Sequence, residues 1–407
     1  MAVRIDKVMA PAPGFASPGV VAWLLTMAFV MGCVLCVHFL LLDDLRAPLP
    51  ERFWNEAIAG SLLVWLILFV ARIFLFMSDF ATAERWRRIQ QGELAEAMSA
   101  GRQFQQVVAV SLHTALREVD EESGDAQLTA LTNGKSAIRA QPTWAGESVR
   151  HSHLPRDEGD TPAQVVETVL AKILDELAPA LQLFPANKSV DLLLQLSGEV
   201  PQEHAHALWE RAWRTAGIQQ KPRRLEGSGL AVADRRLDAN GKTDAPLLVV
   251  AIRVGPAEVA ESAEVAVGLL LANPTSPAAR SLACLHRPEQ EHAPIQAGLR
   301  YAVAQALDWV PVDASAVDKV WSAGVDASRE KELATVLGEL AMPLTAEQGM
   351  HRLDAVLGQS GDCAPWLAIA AAVESASATA RAQLVVSGEG SGDQPLWCAV
   401  VGPASSQ

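Results

Sequence analysis

Two uninterrupted apolar runs stand near the start of the chain. Val20 to Leu42 holds no formal charge with His38 neutral, and Ala57 to Met77 is apolar apart from Ser61 and Arg72. About 20 apolar residues in a helix cross the ~30 Å hydrocarbon core of a bilayer. Each run therefore predicts a transmembrane helix. Only Asp43 to Glu56, with Pro48 and Pro50, lies between them, so residues 20–77 read as a membrane hairpin. A cleaved signal peptide is the competing reading. Its apolar core spans roughly 7–15 residues before a small-residue cleavage site, whereas here the first run is longer and a second follows. Val30-Met-Gly-Cys33 faintly matches a lipoprotein site, but the run continues past Cys33.

Beyond residue 77 the pattern changes. Trp86, Ile89, Leu94 and Met98 recur at roughly helical spacing, which predicts a helix over Thr82–Ser99 with a stop at Ala100-Gly101. Val107 to Leu112 fits a strand or a continued helix, and residues 78–118 are read as a juxtamembrane helical segment. Residues 119–160 are polar, strewn with Gly, Ser, Asp and Pro, and read as a linker. The globular pattern starts at Thr161-Pro162, the cap of an amphipathic helix reaching Leu177. Ser189–Leu196, Pro246–Val254 and Glu264–Ala272 predict buried strands, the last two as a hairpin around Gly255-Pro256. Gln202–Ala216 predicts a helix that Gly217 closes. The layout then recurs. A helix over Ala293–Leu307 leads to a strand at Val317–Ser322 and a helix at Arg329–Leu340. An alanine-rich buried helix at Ala364–Ser377 and a hairpin of Gln383–Val386 with Leu396–Val401 follow. Val190-Asp191 and Val317-Asp318 open comparable strands. The alternation predicts a layered α/β core over residues 161–407.

Charge sets the orientation and excludes some partners. Arg4 and Lys7 lie in the short tail 1–19, and Arg85, Arg87 and Arg88 follow the second run. The loop carries Asp43, Asp44, Glu51 and Glu56 against Arg46 and Arg52. The positive-inside rule then puts both ends of a two-pass chain in the cytoplasm. Arg72, near the end of its run, snorkels to that interface. The formal charge is −14, and all of it falls beyond residue 77. Such a surface repels nucleic acid, and anionic lipid away from the Arg85–Arg88 cluster. Two of the five cysteines lie in the first apolar run and the other three show no paired spacing, which fits a reducing compartment. Cys33-x-x-Cys36 sits inside an apolar run and reads as helix packing.

Candidate chemistry is sparse, and neither a metal nor a cofactor is expected. His151 and His153 fall in the polar tract, and His286 and His292 flank an acidic loop. His204 and His206 are two apart on a helix and do not share a face. Gly388–Gly392 lacks the lysine and the helix that follow a phosphate loop, and reads as a hairpin turn. Of the 11 tryptophans, Trp23, Trp54 and Trp65 suit membrane positions, Trp86 the headgroups and Trp144 the linker. Trp209, Trp213, Trp309, Trp321, Trp366 and Trp397 are expected in the core.

One order of segments is more informative. Ala279-Arg-Ser-Leu-Ala283 is followed by His292-Ala-Pro-Ile-Gln-Ala-Gly-Leu-Arg300 and Ala316-Val-Asp-Lys-Val-Trp-Ser-Ala-Gly324. Gly361-Asp362 then precedes the alanine-rich helix, and the Gly388 turn comes last. From Leu247 to Pro403 this order resembles the second half of β-ketoacyl synthases, which implies the thiolase fold with its repeated halves. The resemblance places Ala323 where that family carries its first active-site histidine, and Asp362 near the second. The family's cysteine precedes the 246–272 hairpin, yet no cysteine lies between Cys36 and Cys284, and no serine there has an evident base. In the family a thiolate attacks an acyl thioester and two polar groups assist decarboxylation and hold the oxyanion. An alanine methyl can do neither. The resemblance thus implies a domain that does not condense.

Hairpin, linker and degenerate domain together resemble the adaptor proteins associated with lipase effectors of bacterial type VI secretion. This implies an inner-membrane protein that binds a secreted effector or a secretion-spike protein. The alternative is an acyl-transfer enzyme working with an acyl carrier protein or coenzyme A, or a scaffold that pairs as a homodimer. An acidic carrier needs a basic docking patch. Arg211, Arg214, Lys221, Arg223 and Arg224 are the candidates, with a solvated helix end as their other role.

Overall fold

In a computed structural model, residues 19–41, 51–118, 121, 123–238, 244–274, 276, 281–310, 312–342, 349–390 and 393–404 are described. They divide into two compact units that meet at Ala97 and Met98.

In the N-terminal unit α1 is Val20–Leu41 and α2 is Glu51–Gly101, one helix of 51 residues. Both are long and apolar enough to cross a membrane by length and composition. Their large apolar side chains, Val20, Leu40 and Phe74 among them, face outward. Trp23 meets Trp65 and Phe69 edge-on, with ring centroids 6.3 and 5.3 Å apart. Trp65 Nε1 also donates to the Trp23 carbonyl at 3.0 Å. The start of α1 therefore lies against residues 65–69 of α2, as an antiparallel pair requires. The expected break between the apolar run and the Thr82 helix is absent. No glycine or proline occurs from Ser61 to Gln91, and Thr82 Oγ1 bonds back to the Ser78 carbonyl as part of the helix. Leu42, the loop residues 43–50, Arg4 and Lys7 lie outside the described residues.

The second unit opens with β1 (Phe104–His113), α3 (Asp125–Thr132), β2 (Arg139–Pro142) and β3 (Ser148–His151). Then come α4 (Pro162–Leu181), β4 (Ser189–Gly198), α5 (Gln202–Thr215) and β5 (Lys221–Arg224). α6 (Gly229–Asp238), β6 (Leu247–Val254) and β7 (Val265–Ala272) complete one half. The other half is β8 (Ala283–His286), β9 (Glu289–Gln290), α7 (Gln296–Trp309), β10 (Val317–Ala323), α8 (Ala327–Glu339) and β11 (Met350–Arg352). It ends with α9 (Leu353–Leu357), α10 (Ala364–Thr379), β12 (Ala382–Ser387) and β13 (Trp397–Pro403).

The sheet runs β11-β10-β12-β13-β8-β1-β7-β6-β4-β5. Leaving β9 and the β2–β3 hairpin aside, each half has the strand order third, second, fourth, fifth, first. Within each half the first four strands share a direction and the fifth opposes them, and β1 meets β8 antiparallel where the halves join. The comparable openings Val190-Asp191 and Val317-Asp318 are the second strands of the two halves. Three apolar clusters separate the layers. α4 and α5 pack on one face of the first half-sheet, and α7 and α8 on one face of the second. The inner faces of both half-sheets close on α6, α9 and α10. α10 is apolar all round and buried from Ala364 to Val373, as a central helix must be.

The polar tract 119–160 is not a linker. It holds α3 and the β2–β3 hairpin, and Leu131 and Leu154 reach the core. Its few apolar residues each bury one side of a short element, while Gly124, Gly134, Gly146 and Gly159 turn the chain at positive φ. Residues 104–113 are likewise no juxtamembrane helix but the first strand of the repeat, so the second unit begins near Met98 rather than Thr161. Trp144, expected in the linker, is half-buried; its Nε1 donates to Glu264 Oε1 at 2.7 Å, and Arg156 stacks on its ring at 3.9 Å. Thr161 caps α4 through a capping box with Gln164.

Candidate functional site

The carboxyl ends of parallel strands leave their loops free to line a crevice, the usual place for ligands in α/β sheets. Here the ends of β4, β6, β10 and β12 converge on the head of α10. Ala323 ends β10 with its methyl fully buried. Its carbonyl accepts from Gly388 N at 3.1 Å, and the Gly324 carbonyl accepts from Gly390 N at 2.8 Å. A Cβ on Gly324, which has φ +67°, would meet the Gly388 carbonyl and lie 3.0 Å from the Ala364 Cβ. The glycine turn after β12 thus packs over Ala323 and the first residue of α10. Segment 388–390 is this turn; 391–392 lie outside the described residues.

Asp354, on α9, closes the same loop. Its Oδ2 accepts from Gly324 N at 2.6 Å and Val325 N at 3.2 Å. Burial pushes its carboxyl up to about 7, against the pull of those two N–H groups. The turn Gly361–Cys363 leads into α10, and Arg253 from β6 lies where a side chain on Gly361 would have to go. Cys363 is fully buried. That burial pushes its thiol up to about 12, although Arg253 favours the thiolate.

Asp362 faces a cleft of about 180 Å³ with Gln195, Ser197, His206 and Arg224. Gln195 is oriented by Trp366, whose Nε1 donates to its Oε1 at 2.5 Å. Arg224 and His206 are exposed. Of the cleft, the sequence pointed to Asp362 and, as part of a basic patch, Arg224. It missed His206, which helical spacing marked as surface, and Gln195 and Ser197. Their signal is the polar pair Gln195 and Ser197 at the end of the apolar run Leu192–Leu196.

The expected basic patch is divided. Arg211 pairs with Glu167 of α4 at 3.0 Å, and Arg214 Nε donates to the Glu210 carbonyl. Arg223 pairs with the buried Asp191, leaving Lys221 and Arg224 exposed on β5. Arg85, Arg87 and Arg88 are exposed on α2, the last two near Glu84, while Arg72 is half-buried. Trp209, Trp213, Trp309, Trp321 and Trp366 are buried, and Trp397 is half-buried.

Elsewhere, Ser111 Oγ lies 3.1 Å and Glu176 3.5 Å from His113, but both face its Nε2. A relay needs the two ring nitrogens to serve different partners. Burial also takes His113 down to about 3.

The sequence matches no protein-family profile and no curated protein. Solved structures do share the architecture. The PfaC keto synthase–chain length factor superposes with a TM-score of 0.55 at 11% identity, over 75% of this chain and 43% of that one. The ishigamide ketosynthase/chain length factor gives 0.53 at 14% identity, over 74% and 100% of the two chains. The domain has the thiolase fold. A third structure, the ketosynthase from module 6 of the bacillaene synthase of Bacillus subtilis 168, gives 0.50 at 12% identity over 75% and 71%. This chain thus spans less than half the length of PfaC, and at these identities the likeness concerns the fold alone. The repeated halves are those expected of a thiolase fold, with α10 at the centre of the second.

Proposed function

We propose that this chain is a membrane-anchored, non-condensing thiolase-fold protein that serves as an adaptor for a protein partner. The observation that carries this reading is Ala323, fully buried at the end of β10 where the resemblance to β-ketoacyl synthases places a histidine. Its methyl offers no proton and no hydrogen bond. Cys363, the thiol at the head of α10, is no substitute for the missing nucleophile: burial pushes it up to about 12, whereas a cysteine nucleophile is exposed with a depressed pKa.

The narrower reading is that the chain holds a lipase effector for a bacterial type VI secretion machine. Its support is the layout: two apolar helices, then an acidic thiolase-fold domain. The hairpin spans the inner membrane with both ends in the cytoplasm, as the arginines after the second apolar run favour. Affinity capture of the full chain from its native host tests the partner. A secreted lipase or a spike protein supports the adaptor, and an acyl carrier protein favours the scaffold alternative.

A second reading, residual acyl transfer, draws on Ser228. It is exposed at the head of α6, between Gly227 and Gly229, and four residues beyond Arg224 of the cleft. Purified full-length protein offered acetyl and malonyl thioesters is expected to release thiol no faster than buffer. Turnover abolished by Ser228→Ala would replace the adaptor with an enzyme.

A further inference from the structure

A second pocket, of about 350 Å³, is built by the segment between β1 and α4 and shares no lining residue with the strand-end cleft. Its volume falls in the usual range for small-molecule sites, about 300–1,000 Å³. It is basic in a domain of strong negative charge. Lys135 and Arg139 line it, and among the described residues neither pairs with a carboxylate. The acidic residue in its lining is Glu118. Arg117 also lines it, but that guanidinium is committed to Glu176 and to the Leu112 carbonyl.

The two free cations are placed by the backbone rather than left to wander. α3 ends with Gly134 at φ +67°; Gly134 N donates to the Leu131 carbonyl and Lys135 N to the Ala130 carbonyl. This is a Schellman-type stop, and it turns residue 135 out of the helix. Ala137 N then donates to the Val356 carbonyl at 2.8 Å, which ties the strap to α9. Arg139 Nε donates to Gln141 Oε1 at 3.1 Å, and the buried Gln141 is itself fixed by donating to the His151 carbonyl. The terminal nitrogens of Arg139 remain for another acceptor. Between the cations lies Ser136, and Leu116, Ala137 and Pro155 give the pocket an apolar side.

We propose that this pocket binds a phosphate monoester with a short carbon body. Lys135, Arg139 and the Ser136 hydroxyl hold the oxyanion, and Leu116 and Pro155 pack on the body. Paired cations and a hydroxyl suit a tetrahedral oxyanion, and charge-assisted hydrogen bonds are the strong ones. The ester could be a soluble metabolite or a lipid headgroup, since the recognised chemistry is the same.

The test uses the full chain in detergent, titrated by calorimetry with glycerol 3-phosphate and, separately, with dihexanoyl phosphatidic acid below its micelle concentration. Saturable binding of at least one is expected. Lys135→Ala and Arg139→Ala should each weaken it about tenfold or more, and Arg214→Ala on α5 should leave it unchanged. Tighter binding of phosphatidic acid assigns a lipid headgroup; tighter binding of glycerol 3-phosphate assigns a soluble ester. Lys135 and Arg139 are exposed, so both variants should melt like the parent. The proposal is overturned if neither ligand saturates, if binding survives both substitutions, or if hexanoate binds as tightly as the phosphates.

Discussion

Arg287 has no exposed surface, and its charge is answered from three sides. Nε donates to Asp234 Oδ1 at 2.7 Å, Nη1 to the Ala100 carbonyl at 2.9 Å, and Nη2 meets Asp238. Asp191 is likewise buried between Arg236 and Arg223. Both clusters clamp α6. Breaking one side of a buried pair leaves an uncompensated charge and costs about 3–5 kcal/mol. Arg287→Ala is expected to lower the unfolding free energy by that amount in urea titrations of the full chain. Glu374, on α10, makes a second case. Burial pushes its carboxyl up to about 8, with Arg117 opposing and Glu121, Asp125 and Glu176 adding to the shift. Between the ordinary value near 4.5 and 8 the folded chain binds the extra proton, so this group's contribution to stability falls as pH rises through that window. The slope is at most about 1.4 kcal/mol per pH unit. Glu374→Gln removes the effect, so the variant should gain on the parent between pH 5 and 8; parallel melts across that range would show it. Such residues were illegible in the sequence. A buried arginine and an exposed one are the same letter, and only partners from distant segments tell them apart.

Gly268 shows how one residue fixes the spacing of two elements. It sits inside the apolar strand β7, where a Cβ would overlap Ile173 Cγ2 and lie 2.9 Å from Leu177 Cδ1 of α4. Gly268→Ala should cost about 1–3 kcal/mol by overpacking, and Ile173→Leu, which removes the Cγ2 branch, should recover part of the loss in the same background. β5 tells a different story at the sheet's end. Leu225 N donates to the Leu192 carbonyl. By the alternation of a strand, Pro222 and Arg224 then turn their backbone to the free edge. Pro222 has no N–H to offer there, and Lys221, Arg223 and Arg224 would face like charges in a second copy. Two copies are therefore not expected to join through this edge. Pro222→Val with Arg224→Thr should increase self-association in sedimentation experiments, whereas the parent should not associate this way. The strong apolar strands and helices were legible as elements because their periodicity is set locally. β1 stayed ambiguous between strand and helix, and α3 with its hairpin looked like linker, because their burial depends on partners far along the chain.

Across the molecule, the two halves share one strand order, and two helices long and apolar enough to cross a membrane precede them. If the hairpin spans a bilayer, alkaline carbonate should leave the chain in the membrane pellet. A periplasm-active reporter should then work when inserted in residues 43–50 and fail at the C-terminus. Release by carbonate would remove the membrane reading while leaving the thiolase fold intact.

The sequence alone determined the apolar hairpin segments, the main strands and helices, and the order of segments that pointed to the thiolase fold. The hairpin segments, strands and helices depend on hydrophobic periodicity, which neighbours in the chain set between themselves; the thiolase fold was implied by the resemblance of the segment order to β-ketoacyl synthases. It also marked Ala323 and Asp362. Only the tertiary structure decided that the second unit begins before β1, that Asp362 shares a cleft with Gln195, Ser197, His206 and Arg224, and that Cys363 is sealed from water. Those facts come from pairings such as β1 with β8 and Gln195 with Trp366, across some 170 positions or more. Local patterns carry no record of such distances.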